Sequence, residues 1–206
     1  MPRIVHFGKC WHTSQFLKAT NCWKLPKFKC DFLGWFSNTM ISLEKAQEHI
    51  FGFTMALDLT ARDLMKKNGG QCLLGKSMDG FCPLGPSLTT YDEVSDPHQL
   101  RLICQVNQET KQDSNSRQMI FDTNEIVAWC SQFCTLLPGD VILTGSPPGS
   151  GCFRKPPQFL QKGDVIECSI EKIGSMTTII VWNTFFFIWV PGLVCQPLCL
   201  QILITC

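Results

Sequence analysis

The sequence predicts a mainly β, α+β domain, and three observations predict it. Phe51, Phe53, Met55 and Leu57 alternate with small or polar residues, the period of two that a half-buried strand imposes. Two turns built around Gly-Asp, Pro138-Gly139-Asp140 and Lys162-Gly163-Asp164, each lead into a short apolar stretch rich in valine and isoleucine. Helical start signals followed by a helical run appear at Ser42 and Asn124, and both helices are short.

The elements follow in order. Ser42 is a candidate N-cap for a short helix that ends at Glu48 and His49. The strand from Ile50 closes on Asp58. Leu64 to Asn68 reads as a helical turn stopped by Gly69-Gly70. Cys72 to Leu74 reads as a short strand delivering Lys76. Phe81 to Leu88 carries two prolines and a glycine, so an ordered loop is expected there, followed by an acidic loop from Asp92 to His98. Leu100 to Val106 alternates as a strand, Asn107-Gln108 makes a tight turn, and a partner strand runs to Gln112. Asn115 and Ser116 form a polar loop, and Met119-Ile120-Phe121 a short apolar piece. Asn124 is the expected cap of a helix reaching Phe133, with Ile126, Val127, Trp129, Cys130 and Phe133 as its buried stripe. Strands Val141 to Leu143, Val165 to Ile170 and Met176 to Val181 complete the domain.

At 206 residues the chain can bury one real core. Its formal net charge of +1 and the lack of a basic face argue against nucleic acid as a partner. Charge is unevenly spread: Glu44 to Val181 holds sixteen acidic and twelve basic residues, the first 43 residues hold six basic and one acidic, and none follows Lys172. The basic N-terminal segment loosely resembles a mitochondrial transit peptide without a clean amphipathic pattern; His6 and His12 could be catalytic on paper, and exposed or disordered residues are the preferred reading. Thirteen cysteines are scattered without a CxxC pair, so reduced, mostly buried thiols are expected rather than a zinc site or a disulfide framework. Asn183 to Cys206 is apolar and long enough to span a bilayer, yet Pro191, Gly192 and Pro197 interrupt it. A tail-anchored membrane protein is one reading of it. Sequence foreign to the domain is the other, and it is preferred.

Chemistry gathers at three strand ends. Asp58 ends an apolar run, and a carboxylate there is costly unless an arginine, a hydrogen-bond cluster or a cation neutralises it. Arg62 follows four residues later and is one candidate partner; Asp63 reads as a buried pair partner. Leu73 and Leu74 lead to a lone Lys76, and the strand at Val141 ends in Thr144 and Ser146 within a Gly/Pro-rich loop. Carboxylate, guanidinium, ammonium and hydroxyl together suit an anionic, metal-chelated small molecule. A solvated Lys76 and a simple turn at Ser146 are the plainer alternatives.

Ordered motifs then resemble a known family. They are Gly52-Phe53-Thr54, Asp58-Leu59-Thr60-Ala61-Arg62-Asp63, Gly75-Lys76-Ser77, Phe81-Cys82-Pro83-Leu84-Gly85-Pro86, Asp96-Pro97-His98, Met119-Ile120-Phe121, Leu137-Pro138-Gly139-Asp140 through Gly145, and Phe153-Arg154-Lys155-Pro156-Pro157. From Glu44 to Val181 this pattern resembles the fumarylacetoacetate hydrolase C-terminal-domain superfamily. The resemblance implies a mixed β-sandwich roll, usually dimeric, with its N-terminal part incomplete here. It implies Mg²⁺, alternatively Ca²⁺ or Mn²⁺, with Asp58 as a ligand. Arg62 and Lys76 would be catalytic and substrate-binding, with Ser146 also at the substrate, a small keto acid. The activity implied is oxaloacetate keto–enol tautomerisation in mitochondria, or hydrolysis of a C–C bond in β-diketo acids.

The chain departs from that pattern upstream. The family's Glu-x-Glu metal pair and His/Glu proton-transfer pair have no match before Asp58, where the sequence reads Lys27-Phe28-Lys29-Cys30-Asp31. A catalytically inactive member serving as a dimerisation module is therefore the alternative expectation. The organisation expected is a non-matching segment 1–43, the family domain 44–181 and a non-matching tail 182–206. A cytoplasmic location is expected if the N-terminus carries no targeting signal.

Overall fold

The computed structural model describes residues 39–67, 69–78 and 80–181 in full, and outside them the backbone of a few short strands. The readings of the N-terminal histidines, the transit-like segment and the body of the apolar tail lie outside the described residues. Among the described residues no helix is long and apolar enough to cross a membrane.

Four short strands come first: β1 (Ile4–His6), β2 (Lys9–Cys10), β3 (Thr13–Ser14) and β4 (Leu17–Ala19). A 3₁₀ helix, Leu43–His49, leads to β5 (Gly52–Leu57), α1 (Arg62–Lys67) and α2 (Cys72–Lys76). Next are β6 (Leu84–Thr90), α3 (Tyr91–Val94), β7 (Arg101–Val106) and β8 (Glu109–Asn115). Helix α4 (Thr123–Phe133) precedes β9 (Val141–Leu143), β10 (Val165–Ile170), β11 (Gly174–Ile179) and β12 (Leu200–Thr205).

One sheet has the order β4-β1-β9-β12-β5-β6, and a second has the order β11-β10-β7-β8. The first is mixed, because β1 runs parallel to β9 while its other pairs are antiparallel. The main core lies between them. Phe53, Met55 and Leu57 of β5 meet Leu102, Cys104 and Val106 of β7, Ile166 and Ile170 of β10, and Ile126, Val127 and Cys130 of α4. Four of the described cysteines, Cys82, Cys104, Cys130 and Cys168, are buried. Cys104 and Cys168 oppose each other in register, with their sulfurs 3.2 Å apart.

Several expectations are corrected. Every residue of β5 is buried, so it is not half-buried: its large residues face the main core, while Ala56 faces a second cluster with Cys82, Val141 and Leu143. Cys72 to Leu74 is the start of α2 rather than a strand. The expected loop at Phe81 to Leu88 contains β6, and Pro86 is tolerated there because β6 is an edge strand that needs no outward ladder bond. A register shift between Phe53 and Met55 lets Thr54 Oγ1 donate to the Ser87 carbonyl at 2.7 Å. Tyr91–Val94 is helical where an acidic loop was expected to begin. Helix α4 is capped by Asp122, not Asn124: Asp122 Oδ1 accepts from the Glu125 N–H at 2.7 Å, and Glu125 Oε2 accepts from the Asp122 N–H at 2.8 Å. Two acceptors thus satisfy two otherwise orphaned donors. Ser42 stands at the cap position of the 3₁₀ helix without a side-chain cap bond. The Asn107-Gln108 turn is as expected, both residues having left-handed φ, 51° and 67°.

Candidate active site

Continuing the alternation of β5 past Ala56, Asp58 falls on the face opposite the main core. It is buried, 4% exposed. Water no longer solvates this carboxylate, so a nearby positive charge must replace that solvation. Lys76 supplies it, its Nζ donating to Asp58 Oδ2 within an ion pair. The lysine side chain keeps 18% of its surface exposed. The pair is therefore closed at the carboxylate and open at the ammonium.

Two short helices bring that ammonium to the strand end. The Ala61 N–H donates to the Gly75 carbonyl at 2.7 Å. A Cβ on Gly75 would lie 2.6 Å from Met65 Cγ and 2.9 Å from the Ala61 carbonyl oxygen. Only a residue without a side chain lets α2 sit this close on α1, and Lys76 is the next residue. Arg62 opens α1. Its Nε is buried with no hydrogen-bond partner among the described residues, and its guanidinium carbon lies 5.6 Å from the centroid of the Phe153 ring, within cation–π range. Both carboxylate oxygens of Asp63 are buried and likewise have no hydrogen-bond partner among the described residues.

Cys82 joins the cluster from the segment before β6. The Leu57 N–H donates to the Pro83 carbonyl at 3.1 Å, which holds this segment against the end of β5. The thiol is pushed up to about 12, first by burial and then by the negative charge of Asp58, with Lys76 acting in the opposite direction. It is a neutral group at physiological pH and a sensor of the pair beside it.

The loop after β9 is fixed on the second sheet. Gln112 Nε2 donates to the Pro147 carbonyl at 2.9 Å, and Arg154 Nη2 donates to the Lys111 carbonyl at 2.9 Å. Gly149 has a φ of +114°, and a Cβ there would stand 2.1 Å from the Lys111 carbonyl oxygen. Ser146 is exposed early in this loop, and Phe153 later in it reaches Arg62.

Asp58 and Lys76 are thus in contact. Arg62 is the first residue of α1, four residues after Asp58, and Ser146 belongs to the loop whose Phe153 touches Arg62. Lys76, rather than Arg62, is the cation seen on Asp58. Sequence reasoning gave no role to Cys82, Gly75 or Phe153. The Gly75-Lys76 step beside an apolar run was the available signal for one of them; the others are defined only by tertiary contact.

Among the described residues no three His, Cys, Asp or Glu side chains cluster closely enough to hold a metal ion. The remaining acids of the chain are Asp31 and Asp79. One carboxylate already neutralised by an ammonium does not fit a hard cation that requires several oxygen ligands.

The fold is strand-rich, with a buried carboxylate–ammonium pair at the end of β5. The fumarylacetoacetate (FAA) hydrolase C-terminal family profile matches residues 36–181. The chain belongs to this family. It is 57% identical over 135 residues to the oxaloacetate tautomerase FAHD2B, mitochondrial, of Homo sapiens, covering 65% of this chain and 43% of that protein. The chain therefore spans less than half the length of that curated relative. Fumarylacetoacetate hydrolase from psychrophilic Exiguobacterium antarcticum superposes with a TM-score of 0.73 at 30% identity, covering 88% of this chain and 75% of the other. Fumarylpyruvate hydrolase from Pseudomonas aeruginosa, in complex with Mn²⁺ and pyruvate, superposes with a TM-score of 0.63 at 32% identity, covering 71% and 60%.

Proposed function

We propose that the chain acts on keto-acid enols, as an oxaloacetate keto–enol tautomerase. The observation that carries this is the Asp58–Lys76 pair at the end of β5, buried at the acid and open at the base, with Arg62 following Ala61, whose N–H holds the Gly75 carbonyl. The name of the human relative supports oxaloacetate as the substrate over a C–C bond hydrolysed in a β-diketo acid. The mitochondrial names of several relatives support the same location for this chain. A homodimer is part of the same reading and rests on the family alone.

Tautomerisation moves one proton between the carbon next to the carbonyl and the carbonyl oxygen, and charge builds on that oxygen as it does so. Lys76 donates a hydrogen bond there, oriented by Asp58. Arg62 holds a substrate carboxylate with its forked N–H groups. Ser146 contributes a hydroxyl from the loop after β9. Asp58 is also where the family's cation, Mg²⁺ or alternatively Ca²⁺ or Mn²⁺, would be held. Since the described residues do not complete such a site, no step is assigned to a metal.

The test follows decay of the oxaloacetate enol by its ultraviolet absorbance with the full chain. Lys76→Met and Arg62→Gln should each reduce the enzyme-dependent rate by about 10²-fold or more. Wild-type rates in both variants would refute the assignment. A second reading, a catalytically silent family member, is favoured by the lack of a metal-ligating cluster among the described residues. It predicts no rate above buffer for the wild-type chain.

A further inference from the structure

We propose that in this chain the Lys76 ammonium takes the place of a divalent cation beside Asp58, so that the site binds dianionic keto acids without metal. The inference rests on the keto-acid reading of the site and adds what neutralises the ligand's charge. Four observations carry it. Asp58 is buried and its Oδ2 is taken by Lys76 Nζ. The ammonium is held there by packing, since Gly75 locks α2 onto α1 through contacts that leave no space for a Cβ. No three metal-ligating side chains cluster among the described residues, and only Asp31 and Asp79 remain as further acids. A second cation, Arg62, follows Ala61, whose N–H holds the Gly75 carbonyl at 2.7 Å, and its Nε is buried without a hydrogen-bond partner among the described residues.

The physical contrast is in where the positive charge resides. A divalent cation needs several carboxylates to hold it, and it then has charge left for the substrate. A lysine needs only one carboxylate for its position. Its three donors can be divided between that acid and a ligand oxygen, and Arg62 supplies the second charge that a dianion requires. A site of this kind gives up the Lewis acidity of the metal, but it is independent of cation supply and indifferent to chelators.

The experiment uses the full wild-type chain and oxalate, a planar dianion that stands in for the enolate. Calorimetric titration is run in EDTA and again with millimolar Mn²⁺, and the free Mn²⁺ signal is read by electron paramagnetic resonance. Equal oxalate affinity in the two buffers, with the Mn²⁺ signal undiminished by the protein, is the expected result. An affinity raised about tenfold or more by Mn²⁺, equivalent to about 1.4 kcal/mol, would overturn the inference while leaving the keto-acid reading intact. No oxalate heat in either buffer would remove the keto-acid reading and the inference with it. Lys76→Met should lose about tenfold or more in oxalate affinity in EDTA, and wild-type affinity in a folded Lys76→Met protein would also overturn it. If that variant does not fold, the wild-type comparison decides.

Discussion

Cys82 reports on the site at the scale of a single residue. Its thiol is buried beside Asp58, and both burial and that negative charge oppose ionisation, raising it from an ordinary 9.0 to about 12. The native state therefore keeps a proton that the unfolded chain releases above pH 9. Where the native state binds more protons, stability falls as pH rises. The contribution of Cys82 is fully present below pH 9 and is lost between pH 9 and about 12. Thermal unfolding followed across that window should show Cys82→Ala losing less stability with rising pH than wild type. Parallel pH profiles would show that the thiol is not coupled to the pair. The same burial predicts a thiol unreactive toward iodoacetamide at neutral pH, since the thiolate is the nucleophile.

Among the elements, the two short helices after β5 matter most, because they set the distance between acid and base. Gly75→Ala places a methyl 2.6 Å from Met65 Cγ and 2.9 Å from a backbone oxygen. The methionine can move and the carbonyl cannot, so α2 must shift and Lys76 with it. The expected cost is about 1–3 kcal/mol in urea unfolding, the usual range for overpacking, together with a weaker response to oxalate. A variant as stable as wild type would show that the helices adjust freely. This is also the scale at which sequence reasoning fails. Cys72 to Leu74 looks like a strand because three apolar or small residues in a row fit either period, and only docking on α1 makes them helical. The segment at Phe81 looks like a loop because its prolines exclude a central strand but not an edge one. The Asp122 cap was overlooked although Asp122 and Glu125 have the spacing of a capping box. Turns were legible, because Gly139, Gly163 and the Asn107-Gln108 pair have the left-handed φ values that such turns demand.

For the whole molecule, the six-stranded sheet has two faces with different tasks. One makes the main core; the other carries Ala56 and Cys82 and, by alternation, Asp58. The second sheet contributes through the loop after β9, which lies on β8 and returns Phe153 to Arg62. Gly149→Ala, with φ +114° and a Cβ 2.1 Å from the Lys111 carbonyl oxygen, should detach that loop and cost about 3 kcal/mol. The variant tests whether the second sheet supports the site. Retention of full stability and full oxalate binding would separate the two. Asp58 and Lys76 were legible as charges that end apolar runs and are costly unless partnered. That they pair with each other was not legible, since that depends on the docking of α2 on α1.

The keto-acid site is tested most directly by a crystal structure of the full chain soaked with oxalate. The expected density places the oxalate carboxylates within hydrogen-bond distance of Lys76 Nζ and the Arg62 guanidinium, with Asp58 still on the lysine. Oxalate absent from this cluster, or bound elsewhere while Lys76 and Arg62 contact only protein, would contradict it.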